Sequence, residues 1–336
     1  MAEPLRWGIV GYGWVARDFV MPAMRAEGHE LIAIADPSPE AQSAAGTDGV
    51  QAYDTHDGLI ADAKLDAIYV ATPNHLHAAP AIAAMEAGIP VLCEKPMAAR
   101  LADAERIADA ALRTGTLYGT AFDQRHHPAH RDMAKLIADG AIGRPIAVRI
   151  LYACWVDPLF APGEPDAENW RIAADKAGGG AVIDLALHGL NLGQMLIGDL
   201  WERLSIMLQR RIHDYAVDDG GMLSGRAANG ALLSAHVAYN CPQTFPRRRL
   251  EVLGETGLLC ANDTMGQTAG GELTLQTEAE TESKSISFDK ERSPFAAQLA
   301  AFAGAVAGEP HEFSAERDIA LMRLFDAAHE EARQCL

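Results

Sequence analysis

A glycine-rich turn near the N-terminus constrains the first third of this chain more than any other feature. Gly11, Gly13 and Ala16 form a Gly-x-Gly-x-x-Ala pattern, Gly11-Tyr12-Gly13-Trp14-Val15-Ala16, between a short apolar run, Arg6 to Val10, and a stretch of helical period, Trp14 to Glu27. Each small residue has a steric reason: Gly11 permits a tight turn, Gly13 lets the backbone approach a pyrophosphate, and Ala16 allows close packing of helix on strand. The helix N-terminus would then face the phosphates. Alone the pattern is a weak signal, because a structural turn gives the same letters. Asp36 strengthens it: it ends the next apolar run, Ala33-Ile34-Ala35-Asp36, where a carboxylate accepts hydrogen bonds from an adenosine ribose. A carboxylate there repels a 2′-phosphate, and no arginine follows in Pro37-Ser38-Pro39, so the expected cofactor is NAD rather than NADP.

From Leu5 to Leu117 apolar runs alternate with alanine-rich helical stretches, the pattern of repeated βαβ units. The expected strands are Arg6 to Val10, Glu30 to Ala35, Ala67 to Ala71, Pro90 to Cys93 and Thr116 to Ala121. Helices include His77 to Ala87 and Ala102 to Thr114, the latter capped by Gly115. After Phe122 a helix from Ala129 to Asp139 precedes a strand from Pro145 to Ala153, and a second helix begins near Gly180. Residues from Trp201 to Asp289 read as successive strands with tight turns at Asn229-Gly230 and Glu255-Thr256-Gly257. Two helices close the chain, Pro294 to Ala307 and Ala315 to Gln334, with Ser314 as an N-cap. The expected fold is α/β: a doubly wound, parallel Rossmann sheet over residues 1–122, then an α/β domain over 123–336 with a large, mostly antiparallel open sheet.

The chain has 336 residues, 49% of them hydrophobic, enough to supply a core to each of two domains. Its 46 acidic against 28 basic side chains give a formal charge of -18, which repels phosphate backbones and anionic lipid heads, so neither nucleic acid nor membrane is an expected partner. A local basic pocket around Lys95 would still accept a single carboxylate. Cys93, Cys154, Cys241, Cys260 and Cys335 are scattered and form no Cys-x-x-Cys pair, as reduced thiols do, and the N-terminus shows no export signal; a cytoplasmic location is expected.

Four groups of residues, in order, resemble the Gfo/Idh/MocA oxidoreductases: the glycine turn; Ala71-Thr72-Pro73-Asn74-His75-Leu76-His77; Glu94-Lys95-Pro96; and Gly178-Gly179-Gly180 followed by Asp184 and His188. Asn169-Trp170-Arg171 fits as well, and Ala186, where relatives often carry glycine, is a small departure. The resemblance implies an NAD(P)-dependent enzyme acting on a sugar, polyol or related cyclic alcohol, and self-association as a homodimer or homotetramer. It places Thr72, Pro73, Asn74, His77, Glu94 and Lys95 beside the cofactor, and assigns Lys95, Asp184 and His188 to catalysis.

Those residue types suit the chemistry. Removing a hydride from a secondary alcohol needs a base for the hydroxyl proton and a cation for the developing alkoxide. His188 titrates in the useful range as a base, Asp184 lies four residues earlier on the same helical face to orient it, and Lys95 follows the fourth strand at the carboxyl edge, where doubly wound folds bind ligands. Without the resemblance each has a plain alternative: a solvated lysine, a core histidine, a helix N-terminal carboxylate. Asp184 and His188 at i, i+4 would also suit a metal, with Cys93 or His126 as a third ligand, but no further motif supports one. His126, His127 and His130 are expected near the domain junction. Trp14 would flank the nicotinamide or pack between domains. Trp155, Asp157, Trp170 and Arg171 are candidate sugar contacts, their alternative being a subunit contact. Two other functions stay open: transient oxidation coupled to elimination, as in an NAD-dependent glycoside hydrolase or lyase, and a non-catalytic dinucleotide sensor.

Overall fold

Short runs of β-branched and aromatic residues in the first third assemble into a parallel sheet. The computed structural model describes residues 3–162, 168–280 and 282–336. Its first sheet contains β1 (Arg6–Val10), β2 (Glu30–Ala35), β3 (Gln51–Tyr53), β4 (Ala67–Val70), β5 (Val91–Glu94) and β6 (Tyr118–Ala121), in the order β3-β2-β1-β4-β5-β6. All neighbours are parallel, and the order reverses between β1 and β4, so the carboxyl ends of these two strands define the switch-point crevice. β3 had no counterpart in the sequence reading. It has three residues, none of them buried, so it lacks the apolar run that marks the others.

The stretch expected as one helix from Trp14 to Glu27 is a π-helical turn, Ala16–Val20, running into an α-helix, Met21–Ala26. The helix expected from His77 opens with a 3₁₀ turn, Asn74–Leu76. Leu101–Thr114 ends as expected, with Gly115 left-handed at φ 66°.

The second sheet contains β7 (Pro145–Ala153), β8 (Trp201–Gln209), β9 (Gly220–Ala227), β10 (Leu232–Ala238), β11 (Arg248–Gly254), β12 (Gly257–Asn262), β13 (Glu272–Thr277) and β14 (Lys284–Ile286), in the order β14-β13-β12-β11-β7-β10-β9-β8. It is antiparallel except where β10 runs parallel to β7. One face is covered by a helix, Leu187–Ile197, packed so closely that a side chain at Gly189 would collide with Ile150 on β7. The run Ala174–Ile197 is long and apolar enough to cross a membrane by composition, yet 89% of its apolar 18-residue window is buried inside the protein, as in a core helix. Helix Pro294–Val306 lies after the second sheet in the chain but packs with the first: Phe295, Leu299 and Phe302 share a core with Trp7, Ile9 and Tyr12. Its alanine-rich sequence carries no signal for which sheet it covers.

Burial has an electrostatic consequence. His77 and His127 are held at about 4, His329 at about 4 and His130 at about 3, in each case chiefly by desolvation, and His188 is pushed well below its usual 6.5 for the same reason. A histidine with a depressed folded pKa contributes stability that is present above 6.5 and is lost as pH falls through the folded value. Asp123, Asp218 and Glu94 are raised by burial, so their contribution is lost as pH rises and opposes the trend, but the five histidines outnumber them. Urea titrations from pH 7 to pH 4.5 should therefore show the unfolding midpoint falling steadily, with net proton uptake on unfolding. A midpoint that held or rose would mean that these histidines are not buried neutral.

Candidate active site

The crevice begins at the turn after β1. Gly11 sits at φ 88°, and a Cβ there would stand 2.7 Å from the Thr72 backbone nitrogen at the end of β4, so no other residue fits. Gly13 has no atom within 4 Å of where a Cβ would project, which leaves a bare backbone face open to a ligand, and Ala16 is fully buried behind it. Asp36 accepts hydrogen bonds from the backbone of Tyr12 (2.8 Å) and Ser38 (2.9 Å), which fixes its carboxylate at the tip of β2 beside the glycine turn. The bare glycine face, the switch point and this carboxylate together fit a dinucleotide.

The loop after β4 is held from beneath. His77 is fully buried, with Nδ1 2.9 Å from the Pro96 carbonyl and Nε2 2.9 Å from the Thr72 carbonyl, so it ties the Thr72-Pro73 loop to the turn after Lys95 and reaches a cofactor only through that loop. Asn74 is buried too and donates to the Ala177 carbonyl at 2.9 Å, linking the loop to the segment before the triple glycine. Glu94 accepts from the Tyr69 hydroxyl at 2.7 Å, and burial raises its carboxyl.

Lys95 leaves the carboxyl end of β5 and crosses to the other lobe. Its Nζ donates to the Asp184 carboxylate and, at 3.0 Å, to the Asp184 backbone carbonyl. Tyr239, just past β10, donates to the second carboxylate oxygen at 2.6 Å. Burial opposes ionisation of Asp184, but Lys95, Arg171 and the two side-chain hydrogen bonds outweigh it and hold the carboxyl well below the usual carboxylate range. Asp184 lies in a π-helical turn, Val182–Ala186, and partners Lys95 rather than orienting His188 as expected from the i, i+4 spacing. The carboxylate beside His188 is Asp123, just after β6, with Oδ1 3.3 Å from Nδ1. Burial and the charge of Glu94 raise Asp123 to about 7. His188 packs edge-on between Phe122 and Tyr152, and burial together with the charge of Lys95 keeps it neutral.

The triple glycine is a packing requirement. Side chains at Gly178 and Gly180 would collide with the carbonyls of Ala99 and Asp218, and one at Gly179 would stand 2.9 Å from the His329 ring. Asp218 accepts from the backbone of Gly180 (2.9 Å) and Val182 (2.8 Å), satisfying two N–H groups at the start of the helical segment that carries Asp184 and His188.

The candidate sugar contacts divide. Arg171 lies over the rings of Trp170 (4.5 Å), Phe160 (5.6 Å) and Trp14 (5.8 Å), and its charge reaches Asp184, so Trp14, Trp170 and Arg171 converge on the site. Trp155 and Asp157 do not. Side chains alternate across an extended strand: the charges of Asp184 and Lys95 bear on the Cys154 thiol, whereas Trp155 packs on His213 at 4.6 Å. Asp157 is exposed and closes its own turn onto the Leu159 backbone. Burial pushes the Cys154 thiol up to about 12, which removes it as a nucleophile. His127 and His130 form a packed pair, with His130 bonded to Gln124 and Thr264, and among the described residues no three His, Cys, Asp or Glu side chains are arranged to hold a metal.

Asp123 and Asp218 were missed by sequence reasoning. Asp123 stands at a strand's carboxyl end, the same cue that singles out Lys95. Nothing local marks Asp218, whose partners lie 36 and 38 residues earlier.

Residues 5–122 match the oxidoreductase family with an NAD-binding Rossmann fold, and residues 130–260 match the GFO/IDH/MocA C-terminal domain. The chain belongs to this family and is an NAD(P)-binding oxidoreductase. It is 35% identical to 1,5-anhydro-D-fructose reductase of Ensifer adhaerens over 90% of this chain and 88% of that protein. It is 31% identical to D-xylose 1-dehydrogenase (NADP(+)) 2 of Haloferax volcanii over 98% and 97%. Among solved structures, aldose-aldose oxidoreductase from Caulobacter crescentus complexed with glycerol superposes with a TM-score of 0.85 at 25% identity, covering 99% of each chain.

Replacing Asp218 with Ala should leave the Gly180 and Val182 N–H groups buried without partners. Each such group costs about 1–3 kcal/mol. Denaturant titration should show a loss of about 2 kcal/mol or more; a variant as stable as the parent would show that water replaces the carboxylate.

Proposed function

We propose that this protein is a dehydrogenase that oxidises a secondary alcohol of a sugar, polyol or related cyclic compound, with NAD as its preferred cofactor. The observation that carries the reading is the ion pair of Lys95, at the carboxyl end of β5 beside the switch point, with Asp184, and the presence of His188 within reach of the charge of Lys95. The names of the relatives, reductases and dehydrogenases of sugars, support the substrate class.

The cofactor would be held by the backbone at Gly11 to Ala16, by Asp36 at the ribose and by the Thr72-Pro73 loop. When bound, it would accept or donate a hydride, one proton with two electrons, at the substrate carbon. His188, neutral above pH 6.5, takes the proton of the substrate hydroxyl. Asp123 Oδ1 stands 3.3 Å from Nδ1 without a hydrogen bond to it, close enough to favour the imidazolium as it forms. Lys95 offers its ammonium to the oxygen as negative charge develops, with Asp184 and Tyr239 fixing where the ammonium points. Trp14, Trp170 and Arg171 present the stacking and charged surface that suits a sugar ring.

Asp36 supports NAD, since a 2′-phosphate would meet a carboxylate held by two backbone N–H groups. The relative named for NADP makes the second cofactor a required arm of any assay. Exposed Met207, Met222 and Leu232 on the second sheet support self-association as a homodimer or homotetramer, which sedimentation velocity would read.

The test is nicotinamide absorbance on incubation with NAD, and separately NADP, across a panel of sugars, polyols and the corresponding ketones. Turnover on one stereochemical series is expected, and Lys95→Met should lower kcat by about 10²–10³-fold while NADH still binds. Normal turnover by Lys95→Met would refute the role given to Lys95. Tight NADH binding without turnover on any member would replace the dehydrogenase with the transient-redox or sensor reading.

A further inference from the structure

Arg247 precedes β11, whose first two residues are Arg248 and Arg249, and strand alternation sends those two to different places. Arg249 turns outward and pairs with Glu251 and Asn262. Arg248 lies opposite Tyr152 on β7, on the face that carries the ring packed against His188. Its guanidinium lies beside Gly266, where a Cβ would stand 2.6 Å from Cζ. Gly266 is itself held by Gln124, the neighbour of Asp123, through a 2.7 Å hydrogen bond to its carbonyl. Arg248 Nε is buried with no hydrogen-bond partner, and among the described residues no carboxylate pairs with this guanidinium. Most arginines elsewhere on the chain, such as Arg6, Arg125, Arg144 and Arg317, sit against a carboxylate.

The surrounding field has the same sign. The charges of Arg248, Arg247 and Lys95 all act on the Cys154 thiol, opposed there by Asp184. Arg171 adds a further cation beside Asp184. A chain with a formal charge of -18 thus concentrates positive charge on the substrate side of its site. Because β11 lies in the second sheet, next to β7, this cation belongs to the lobe that carries Tyr152 and Cys154 rather than to the cofactor turn after β1. Nε is sealed from solvent, so an anion would be met by the two terminal nitrogens, and a planar guanidinium presenting that edge matches two oxygens of one anionic group.

We propose that the substrate carries an anionic substituent, a carboxylate or a phosphate, and that Arg248 receives it and so sets specificity for acidic over neutral sugars. The proposal rests on the dehydrogenase reading for the identity of the site, and the test separates the two. Hexuronates are compared with the matching hexuronamides, and hexose 6-phosphates with the free hexoses, by kcat/KM with the preferred nicotinamide. The parent protein should favour one anionic series over its neutral partners by about tenfold or more, since hydrogen bonds to charged groups are worth more than neutral ones. The pair that shows the preference tells carboxylate from phosphate. Arg248→Met should bring that ratio close to one, and Arg248→Lys should restore part of it, with a point charge in place of the fork.

Should no compound turn over, the dehydrogenase reading fails while the anchor is still measured, by calorimetry of the same pairs on the NADH-loaded protein: tighter binding of one anion, lost in Arg248→Met, supports it. Equal kcat/KM and equal affinity within every pair would overturn it. So would an Arg248→Met variant that loses acidic and neutral members alike, which is what a strut beneath the Gly266 loop would produce.

Discussion

An ammonium at the carboxyl end of the first sheet and a carboxylate on the helical turn of the second lobe meet in this molecule, and the candidate site is arranged around that meeting. Lys95 extends from the carboxyl end of β5, and Asp184 comes from a π-helical turn that precedes the core helix of the second lobe. Both are largely withdrawn from water, so neither charge would be tolerated without the other. The Tyr239 hydroxyl and the Asp184 carbonyl complete the arrangement, leaving each charged group with two partners.

Several independent contacts keep the two lobes in register around this pair. Asn74 reaches across to Ala177, and the Ala99 backbone lies against Gly178. Helix Pro294–Val306 returns to the first sheet and supplies part of its core. The glycines before Asp184 let the backbone press against Ala99 on one side and Asp218 on the other. Small residues, rather than long-range forces, set how closely the cofactor lobe and the catalytic turn approach.

The parts of this account that were legible in the sequence are those with local causes. The Gly11 turn, the strand ending at Asp36, the Gly115 and Ser314 caps and the alternation of the second sheet all depend on residues within a few positions of one another. Lys95, Asp184 and His188 were legible because motifs in a fixed order marked them, yet their pairing was not: the spacing of Asp184 and His188 suggested that one orients the other, whereas the π turn and the reach of Lys95 join Asp184 to the opposite lobe. Asp123 became visible as the neighbour of His188 only once β6 was placed beside β5. Trp155 was misplaced for a simple reason, since a one-residue step along a strand reverses the face and Cys154 takes the inward position.

The most direct test of the central claim is a double-mutant cycle on unfolding free energy with Lys95→Met, Asp184→Asn and the pair. If the two charges depend on each other, each single variant loses stability and the double variant loses far less than the sum, giving a coupling energy of about 1–3 kcal/mol. Losses that add would show that Lys95 and Asp184 act separately, and the account of one ion pair joining the two lobes would be wrong.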